Sequence, residues 1–361
     1  MEFALSDDQR MLQASVAGFA AHHVTLADVR AAAHGDAKIP ARIAAGLADL
    51  GLPAMLVPTD HGGLGLGLVE AVVVQEILGA MVSPAGILGS AVAALGIATA
   101  ATEDQKAGLL PAIASGEKRF AIALSERVSR RDGAGVVSGD GRLNGTALFV
   151  LEADMATDIL VADQQGSLHC VASGAPGVEQ KALRTIDGTR SYGEFRFNQV
   201  EARPLNGEAN AGDGADRMIA AARVLIAADS LGAAQHMLDA AVAYAGQREQ
   251  FGRVIGSFQA VKHMCAEMAA KLEPSRALVW HAAYALDSGD PEGRVMAALA
   301  KAHLAEVAAF VARTATEVHG GMGFTDLLGL HFWFKRIGAN RQLLGGPEKT
   351  RADAARMQGW G

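Results

Sequence analysis

Cysteine is nearly absent from this chain: among 361 residues only Cys170 and Cys265 occur. Their separation has neither metal nor redox spacing, so a disulfide framework is excluded and a reducing, cytoplasmic setting is expected. Aromatic residues are equally scarce, at 5%, while half of the residues are apolar and many of these are alanine. Such a mixture disfavours an all-β fold and suits tightly packed helices. Positive charge is also in deficit, the formal net charge being −7, which argues against a general nucleic-acid binder. Long hydrophobic runs are missing too. The weakly apolar stretch from Ala85 to Ala101 contains Ser90 and Thr99, is short for a membrane span, and reads as a buried helix. The first residues turn acidic and polar early, so no signal peptide is expected. The eleven histidines show no metal spacing; His22, His23 and His303 read as surface or core residues. No internal repeat is present.

What is there falls into three parts. The first third is helical. Ser6-Asp-Asp-Gln9 is a capping-box pattern, followed by Met11, Leu12, Val16 and Phe19 at helical spacing. A second helix should end near Leu50-Gly51, and another should run from about Gly67 to Gly79. Between them the glycine-rich stretch from Val57 to Gly65 lacks the lysine and order of a phosphate loop and reads as a chain reversal. From Gly116-Glu-Lys118 the character changes to short apolar or alternating runs at 120–124, 143–151, 158–162, 168–172 and 193–197. Asp140-Gly141, Asn144-Gly145 and Asp187-Gly188 read as the turns between them. The basic cluster Arg127, Arg130, Arg131 reads first as a solvated loop, with an anionic ligand as the open alternative.

Helices return after Asn206-Gly207. Leu231, Ala234, Leu238, Val242 and Ala245 share one face, as do Val261, Met264, Met268 and Leu272. Pro274 should kink or divide the latter helix, and Asp290-Pro291-Glu292 should start the next with proline at its first position. That helix, carrying Val295, Leu299, Ala302, Val307 and Phe310, should stop at Gly320-Gly321. The expected units are 1–117, a helical domain; 118–207, a β barrel or sandwich; and 208–361, a helical bundle.

Two motifs about seventy residues apart carry most of the chemistry: Arg248-Glu-Gln-Phe-Gly252 running on to Gln259, and His319-Gly-Gly-Met-Gly-Phe324. An arginine presents a planar fork of donors suited to a pyrophosphate, Phe251 a flat apolar face, and Gln259 an amide. Either motif alone is weak, because arginine and glycine at a helix end are commonplace. Together, at this spacing, they resemble the acyl-CoA dehydrogenase family, flavoenzymes that desaturate acyl-CoA thioesters. The resemblance covers almost the whole chain, from Phe3-Ala-Leu-Ser-Asp-Asp-Gln-Arg10 to the last helix. It implies a mostly α fold with an N-terminal helical domain, a middle β domain and a C-terminal four-helix bundle. It also implies that Arg248, Phe251, Gln259, His319, Gly320 and Gly321 reach the FAD of a neighbouring subunit.

Other family features are lacking. Where the family holds the flavin ring with a loop like Thr-Glu-Pro-Gly-x-Gly-Ser-Asp, this chain has Ser125-Glu-Arg-Val-Ser-Arg-Arg-Asp132; where a Trp-x-Thr strand follows, it has Ala147-Leu-Phe-Val-Leu151. Desaturation requires a carboxylate to take the α-proton as a hydride leaves the β-carbon. The family carries that base either in a C-terminal Tyr-Glu-Gly-Thr loop, here Leu344-Gly345-Gly346-Pro347, or in a helix before a characteristic arginine, here Ala222 before Arg223. Neither Gly345 nor Ala222 can accept a proton. Glu348 reads as a first-turn helix acid and Asp229 as a poor substitute base. The chain therefore resembles the base-less smaller subunit of bacterial α2β2 acyl-CoA dehydrogenases. Such a subunit shares FAD with a catalytic partner that acts on bulky thioesters such as steroid side-chain CoA derivatives, with electron-transfer flavoprotein as acceptor. Two rivals remain open: a self-sufficient homotetramer with an unrecognised base, and a flavin-free scaffold of the same fold.

Overall fold

The computed structural model describes residues 4–129, 131–207 and 212–360. Phe3, which begins the resemblance, and Arg130 of the basic cluster lie outside the described residues. Three helices open the chain: α1 (Asp7–His23), α2 (Leu26–Ala33) and α3 (Lys38–Asp49). Ser6 caps α1 as its sequence predicts, accepting from the Gln9 amide at 3.1 Å while Gln9 returns the bond to the Ser6 amide at 2.9 Å. Val16 is fully buried on α1, but Met11 is 65% exposed and does not belong to the inward face. The turn after α3 is made by Gly51 at φ +76°, a conformation glycine adopts without strain. Next come α4 (Leu68–Ala80), α5 (Leu88–Ala100) and α6 (Glu103–Ala114), of which α4 and α5 are apolar nearly all round and accordingly buried.

The middle of the chain forms one curled, seven-stranded sheet. Its strands are β1 (Phe120–Ala123), β2 (Gly135–Gly139), β3 (Arg142–Leu151), β4 (Asp158–Ala162), β5 (Leu168–Ala172), β6 (Val178–Ala182) and β7 (Tyr192–Glu201), with a four-residue helix α7 (Ser125–Val128) after β1. The order is β5-β4-β1-β3-β7-β6, with β2 paired to β3; β1 and β4 run parallel and the other pairs antiparallel. Asp140-Gly141 turns β2 into β3, both at positive φ as a tight hairpin needs. Asn144-Gly145 is not a turn. It lies inside β3, where Gly145 at φ +121° accompanies a register shift against β7 and the Asn144 side chain accepts from the Gln199 amide at 3.0 Å. The glycine serves a bulge, and a Cβ there would meet the Gly135 carbonyl at 2.1 Å.

The C-terminal part is built on α8 (Asp213–Gln247), a 35-residue helix buried along most of its length. A two-residue hairpin, β8 (Glu249–Gln250) and β9 (Arg253–Val254), leads into α9 (Gln259–Asp287), then α10 (Gly293–His319), α11 (Leu330–Gln342) and α12 (Pro347–Met357). Pro274 does not divide α9, which runs through it. Asp290 and Pro291 precede α10 rather than begin it: Glu292 is its N-cap, and the Asp290 carboxylate takes the Glu292 amide at 2.8 Å. Val242 departs from the inward face of α8, being half exposed, and Leu299 is similarly turned outward on α10. Two helices, 213–247 and 293–324, are long and apolar enough to cross a membrane, but 94% and 61% of their apolar windows are packed inside the fold. Against α4, α8 comes so close that a Cβ on Gly232 would lie 1.8 Å from the Glu76 carbonyl, and one on Gly79 would lie 2.2 Å from that of Asp229.

A buried ionic cluster ties the three parts together. Arg336 on α11, the largest fully buried side chain, donates to Asp187 at 2.8 Å, to Asp229 on α8 at 3.3 Å, to Thr189 Oγ1 at 2.7 Å and to the Ser83 carbonyl at 3.0 Å. Asp229 also accepts from Arg190 at 2.9 Å, Asn340 at 2.7 Å and Gln75 at 2.8 Å. Burial alone would raise the Asp229 pKa, but the two guanidiniums and these hydrogen bonds hold it below the usual carboxylate range. Removing one member of such a set leaves its partners charged and dry. Arg336→Met is therefore expected to lower stability by about 3–5 kcal/mol, with Arg336→Lys recovering only part because it lacks the planar fork. Chemical denaturation monitored by far-ultraviolet circular dichroism measures both.

Candidate functional site

At one end of the helical bundle the two sequence motifs meet. Arg248 follows the last turn of α8, its amide bonded to the Tyr244 carbonyl at 2.8 Å, and its exposed guanidinium has no ion-pair partner among the described residues. Phe251 sits at the tip of the β8–β9 hairpin with φ +54° and is 93% exposed, its ring edge-on to Phe258 at 6.1 Å. Gln259 is the exposed first residue of α9. His319 closes α10; its Nδ1 lies 2.7 Å from the Ala315 carbonyl and its buried ring stacks on Tyr244 at 4.7 Å. That stack is what joins the second motif to the first. Gly320 follows at φ +57°, and neither it nor Gly321 has any atom within 4 Å of a built Cβ. An open backbone, a guanidinium without an ion-pair partner among the described residues, an amide and an aromatic face are thus presented outward. The chemistry of this set fits the pyrophosphate and flat groups of a dinucleotide.

The two positions expected for a base are some distance inside. Gly345 lies in the loop between α11 and α12 at φ +103°, a conformation side chains resist. A Cβ there would meet Thr350 at 3.2 Å, Val128 at 3.3 Å and Arg223 at 3.4 Å. Ala222 is fully buried in α8. The loop is held from behind: Arg223 donates to the Leu344 carbonyl at 3.1 Å, and Lys301 on α10 donates to the carbonyls of Gly345 at 3.2 Å and Arg341 at 3.3 Å. Among the described residues Lys301 has no carboxylate within ion-pair distance. Burial, helped by Arg223 and Arg341, pushes its pKa down to about 7. Asp229 belongs to the ionic cluster already described. Glu348, in the first turn of α12, is 76% exposed and 3.6 Å from Arg341. Neither acid pairs with a group at Gly345 or Ala222; their partners are Arg341 and Arg336.

Two clefts flank this loop. The first, of about 360 Å³, is lined by Arg127, Arg223, Arg294, Lys349 and Arg356 around Asp216 and Asp353. Asp353 receives Arg223 at 2.6 Å, Lys349 at 2.6 Å and Arg356 at 3.1 Å, while Asp216 is paired with Arg294 and, at 3.6 Å, with Arg127. Desolvation would raise Asp353, but the hydrogen bonds from Lys349 and Arg223 outweigh it and hold its carboxyl low, the opposite of what a base requires.

The second cleft, of about 470 Å³, lies between the sheet and the α11–α12 loop, among Ser125, Phe149, Tyr192, Leu344 and Gly345. Ser125 is buried, but Glu126 is committed to Arg131, taking its amide at 3.0 Å and its guanidinium at 2.9 Å. The same guanidinium covers the ring of Phe149 at 4.7 Å, at a residue held at φ +53° where β3 slips against β7. The acid, the cation and the aromatic that stand in the ring-binding segments are therefore engaged with one another. They do not fit a complete flavin-ring cradle. Of the basic cluster, Arg127 and Arg131 are thus drawn into separate ion pairs, not a shared phosphate site. Lys301, Asp353, Asp216 and Tyr192 escaped the sequence reading; only Lys301, a lone lysine in an alanine-rich helix face, left a signal there.

With this geometry in place the relatives become informative. Residues 6–117 match the acyl-CoA dehydrogenase N-terminal domain and residues 212–358 the acyl-CoA dehydrogenase C-terminal domain. The chain belongs to the acyl-CoA dehydrogenase family, a family of FAD-dependent oxidoreductases. Among its relatives is the acyl-CoA dehydrogenase IpdE2 of Mycobacterium tuberculosis, 30% identical over 345 residues that cover 95% of each chain. Similar structures include a variant of the Tcur3481–Tcur3483 steroid acyl-CoA dehydrogenase, at 29% identity, 98% coverage of both chains and a TM-score of 0.89. The ChsE4–ChsE5 complex from Mycobacterium tuberculosis is similar at 27% identity, 99% coverage of both chains and a TM-score of 0.90.

Lys301 provides a direct check on the loop. Folded, it releases its proton near pH 7, about 7 against about 10.4 in the unfolded chain. Between those values the unfolded state binds more protons, so stability rises with pH. In Lys301→Met that rise should vanish, the parent gaining up to about 1.4 kcal/mol per pH unit more than the variant across this window. Denaturation midpoints measured at a series of pH values read the difference.

Proposed function

We propose that this chain is a non-catalytic subunit of a heteromeric acyl-CoA dehydrogenase, completing the flavin site of a catalytic partner. The observation that carries the reading is the contrast between its two halves: Arg248, Phe251, Gln259, Gly320 and Gly321 are exposed, with His319 buried behind the glycine turn, whereas the inner segments are tied to one another. When bound, FAD supplies the hydride acceptor for desaturation. This chain's part is to place a guanidinium on the pyrophosphate and an aromatic face and open backbone beside the dinucleotide. The proton-abstracting carboxylate comes from the partner, since Gly345 and Ala222 supply none. Two of the similar structures are named as pairs of different proteins, and one of these as a steroid enzyme, which supports an α2β2 assembly acting on bulky thioesters such as steroid CoA derivatives. We take residues 1–117, 118–207 and 208–361 as its structural units, electron-transfer flavoprotein as the electron acceptor and the cytoplasm of a bacterium as the setting.

The chain purified alone should show no turnover of short, branched or steroid CoA thioesters with an artificial electron acceptor. Gly345→Glu should not rescue it. A glutamate there meets a backbone at φ +103° and neighbours at 3.2–3.4 Å, and a general base contributes about 10²–10⁴-fold only with the reacting atoms already in place. Robust activity from the variant would contradict the reading of the inner cleft.

Co-purification with the dehydrogenase subunit encoded beside it, followed by flavin quantification, tests the assembly. About one FAD per pair is expected, because each pair holds one complete site. Arg248→Ala should lower FAD retention and activity of the complex by about tenfold or more, the loss of a charge-assisted pair with phosphate, without changing the circular dichroism of the subunit. One FAD per polypeptide, or a variant equal to the parent, counts against the proposal.

A further inference from the structure

The loop before α12 closes over a charge that has no counterion. Lys301, 2% exposed on α10, donates to the carbonyls of Arg341 at 3.3 Å and Gly345 at 3.2 Å. The helices α8, α9, α11 and α12 pack against α10, and the charges that act on this ammonium are cations, Arg223 from α8 and Arg341 from α11. The acids that α12 brings near are already engaged. Asp353 takes Arg223 and Lys349, each at 2.6 Å, and Glu348 lies 3.6 Å from Arg341. Along α10 itself, Glu306 is paired with Arg351 of α12, and His303 meets the Ser275 hydroxyl of α9 at 3.1 Å. Carbonyl dipoles alone do not repay the hydration that an ammonium loses. Burial, with the two arginines beside it, pushes the lysine pKa down to about 7.

Of the elements around Lys301, the loop is the one able to yield. The rest are regular helices, whereas Leu344 at φ +52° and Gly345 at φ +103° hold left-handed backbone, which a leucine adopts only under strain. The loop is tied to the helices by few bonds. The Leu343 amide donates to the Ala339 carbonyl at 3.1 Å, the Gly345 amide to the Gln342 carbonyl at 3.2 Å, and Arg223 to the Leu344 carbonyl at 3.1 Å. Leu343, Leu344, Gly345 and Gly346 together wall the second cleft. We propose that this loop is a proton-driven gate on the second cleft: protonated Lys301 drives it open to water, and neutral Lys301 lets it close. Closed, the group releases its proton near pH 7; hydrated in the open state it keeps it to about 10.4. Between those values the open state binds more protons, so opening grows as pH falls toward 7 and closure grows as pH rises. The gate stands apart from the partner-subunit reading, since it needs only α10, its neighbouring helices and the loop.

The test is hydrogen exchange of the full-length chain, followed by mass spectrometry from pH 6 to 9 and corrected for the chemical exchange rate at each pH. Amides of the loop, Leu343 and Gly345 among them, should gain protection by up to about tenfold per pH unit above pH 7 and stay level below it. They should also exchange ahead of the middle of α8 and ignore urea below the unfolding transition, because a local opening exposes little surface. Lys301→Gln keeps the donors without the charge, and its loop protection should not change with pH. Arg341→Gln leaves Lys301 in place but removes one of the cations pressing on it, and should move the onset to higher pH. Loop protection indifferent to pH in the parent, or rising equally in Lys301→Gln, overturns the proposal. So does a urea dependence equal to that of α8, which would assign the proton to unfolding of the whole chain. Should Lys301→Gln not fold, an unmoved onset in Arg341→Gln overturns it instead.

Discussion

Asp229 is the point on which the three parts of this chain converge. One carboxylate in the middle of α8 accepts from α4 through Gln75, from the segment before β7 through Arg190, and from α11 through Arg336 and Asn340. No single one of those layers would justify burying a carboxylate, because desolvation exceeds what one ion pair returns. The arrangement works because all its neighbours arrive together, and it therefore specifies their relative positions as well as stabilising them. The α11–α12 loop inherits its place from this cluster: Arg336 and Asn340 anchor the helix whose end delivers Leu344 and Gly345 to the second cleft. The site's geometry is set about two turns of helix away from the site.

The sequence was readable where local chemistry and tertiary structure agree. Ser6 with Gln9, Gly51 after α3 and Asp140-Gly141 between β2 and β3 all act as their residue types imply. The departures have separate causes. Strand β6 was not anticipated because an edge strand exposed along nearly its whole length has no apolar alternation to show, and β2 because it is bounded and begun by glycine. Asn144-Gly145 carries a hairpin signature but occupies a bulge, a choice made by the partner strand. Pro274 sits inside α9 because packing along 29 residues outweighs one lost backbone bond. Within the site, Arg248, Phe251, Gln259, His319, Gly320, Gly321, Ala222 and Gly345 were legible as residue identities. The pairing of Glu126 with Arg131, the placement of Arg131 over Phe149 and the loop-clamping Lys301 were not. They arise from residues far apart in sequence or from side-chain directions that spacing does not encode.

The two clefts beside Gly345 divide the loop's surroundings by charge. On one side five cations face two acids and every acid is engaged; on the other an apolar pocket carries exposed Arg184 at its mouth. A carboxylate at position 345 would stand between them, beside Arg223 and near Lys301, which has only carbonyl partners. The Arg223 guanidinium, 3.4 Å from a Cβ there, would favour the ionised form and depress the basicity of any acid introduced.

The close seam between α4 and α8 has a mechanical consequence. With Gly79 and Gly232 allowing the two backbones to touch, neither helix can slide by a residue without driving a carbonyl into its neighbour. The helices of the N-terminal part and the bundle therefore behave as one rigid block, and shear between them is forbidden. Whatever deformation admits a ligand or a partner must be carried by elements outside that seam: the α7 segment, the loop before α12 and the β8–β9 hairpin. The compliance of the molecule is concentrated in its connections, around a framework that does not yield.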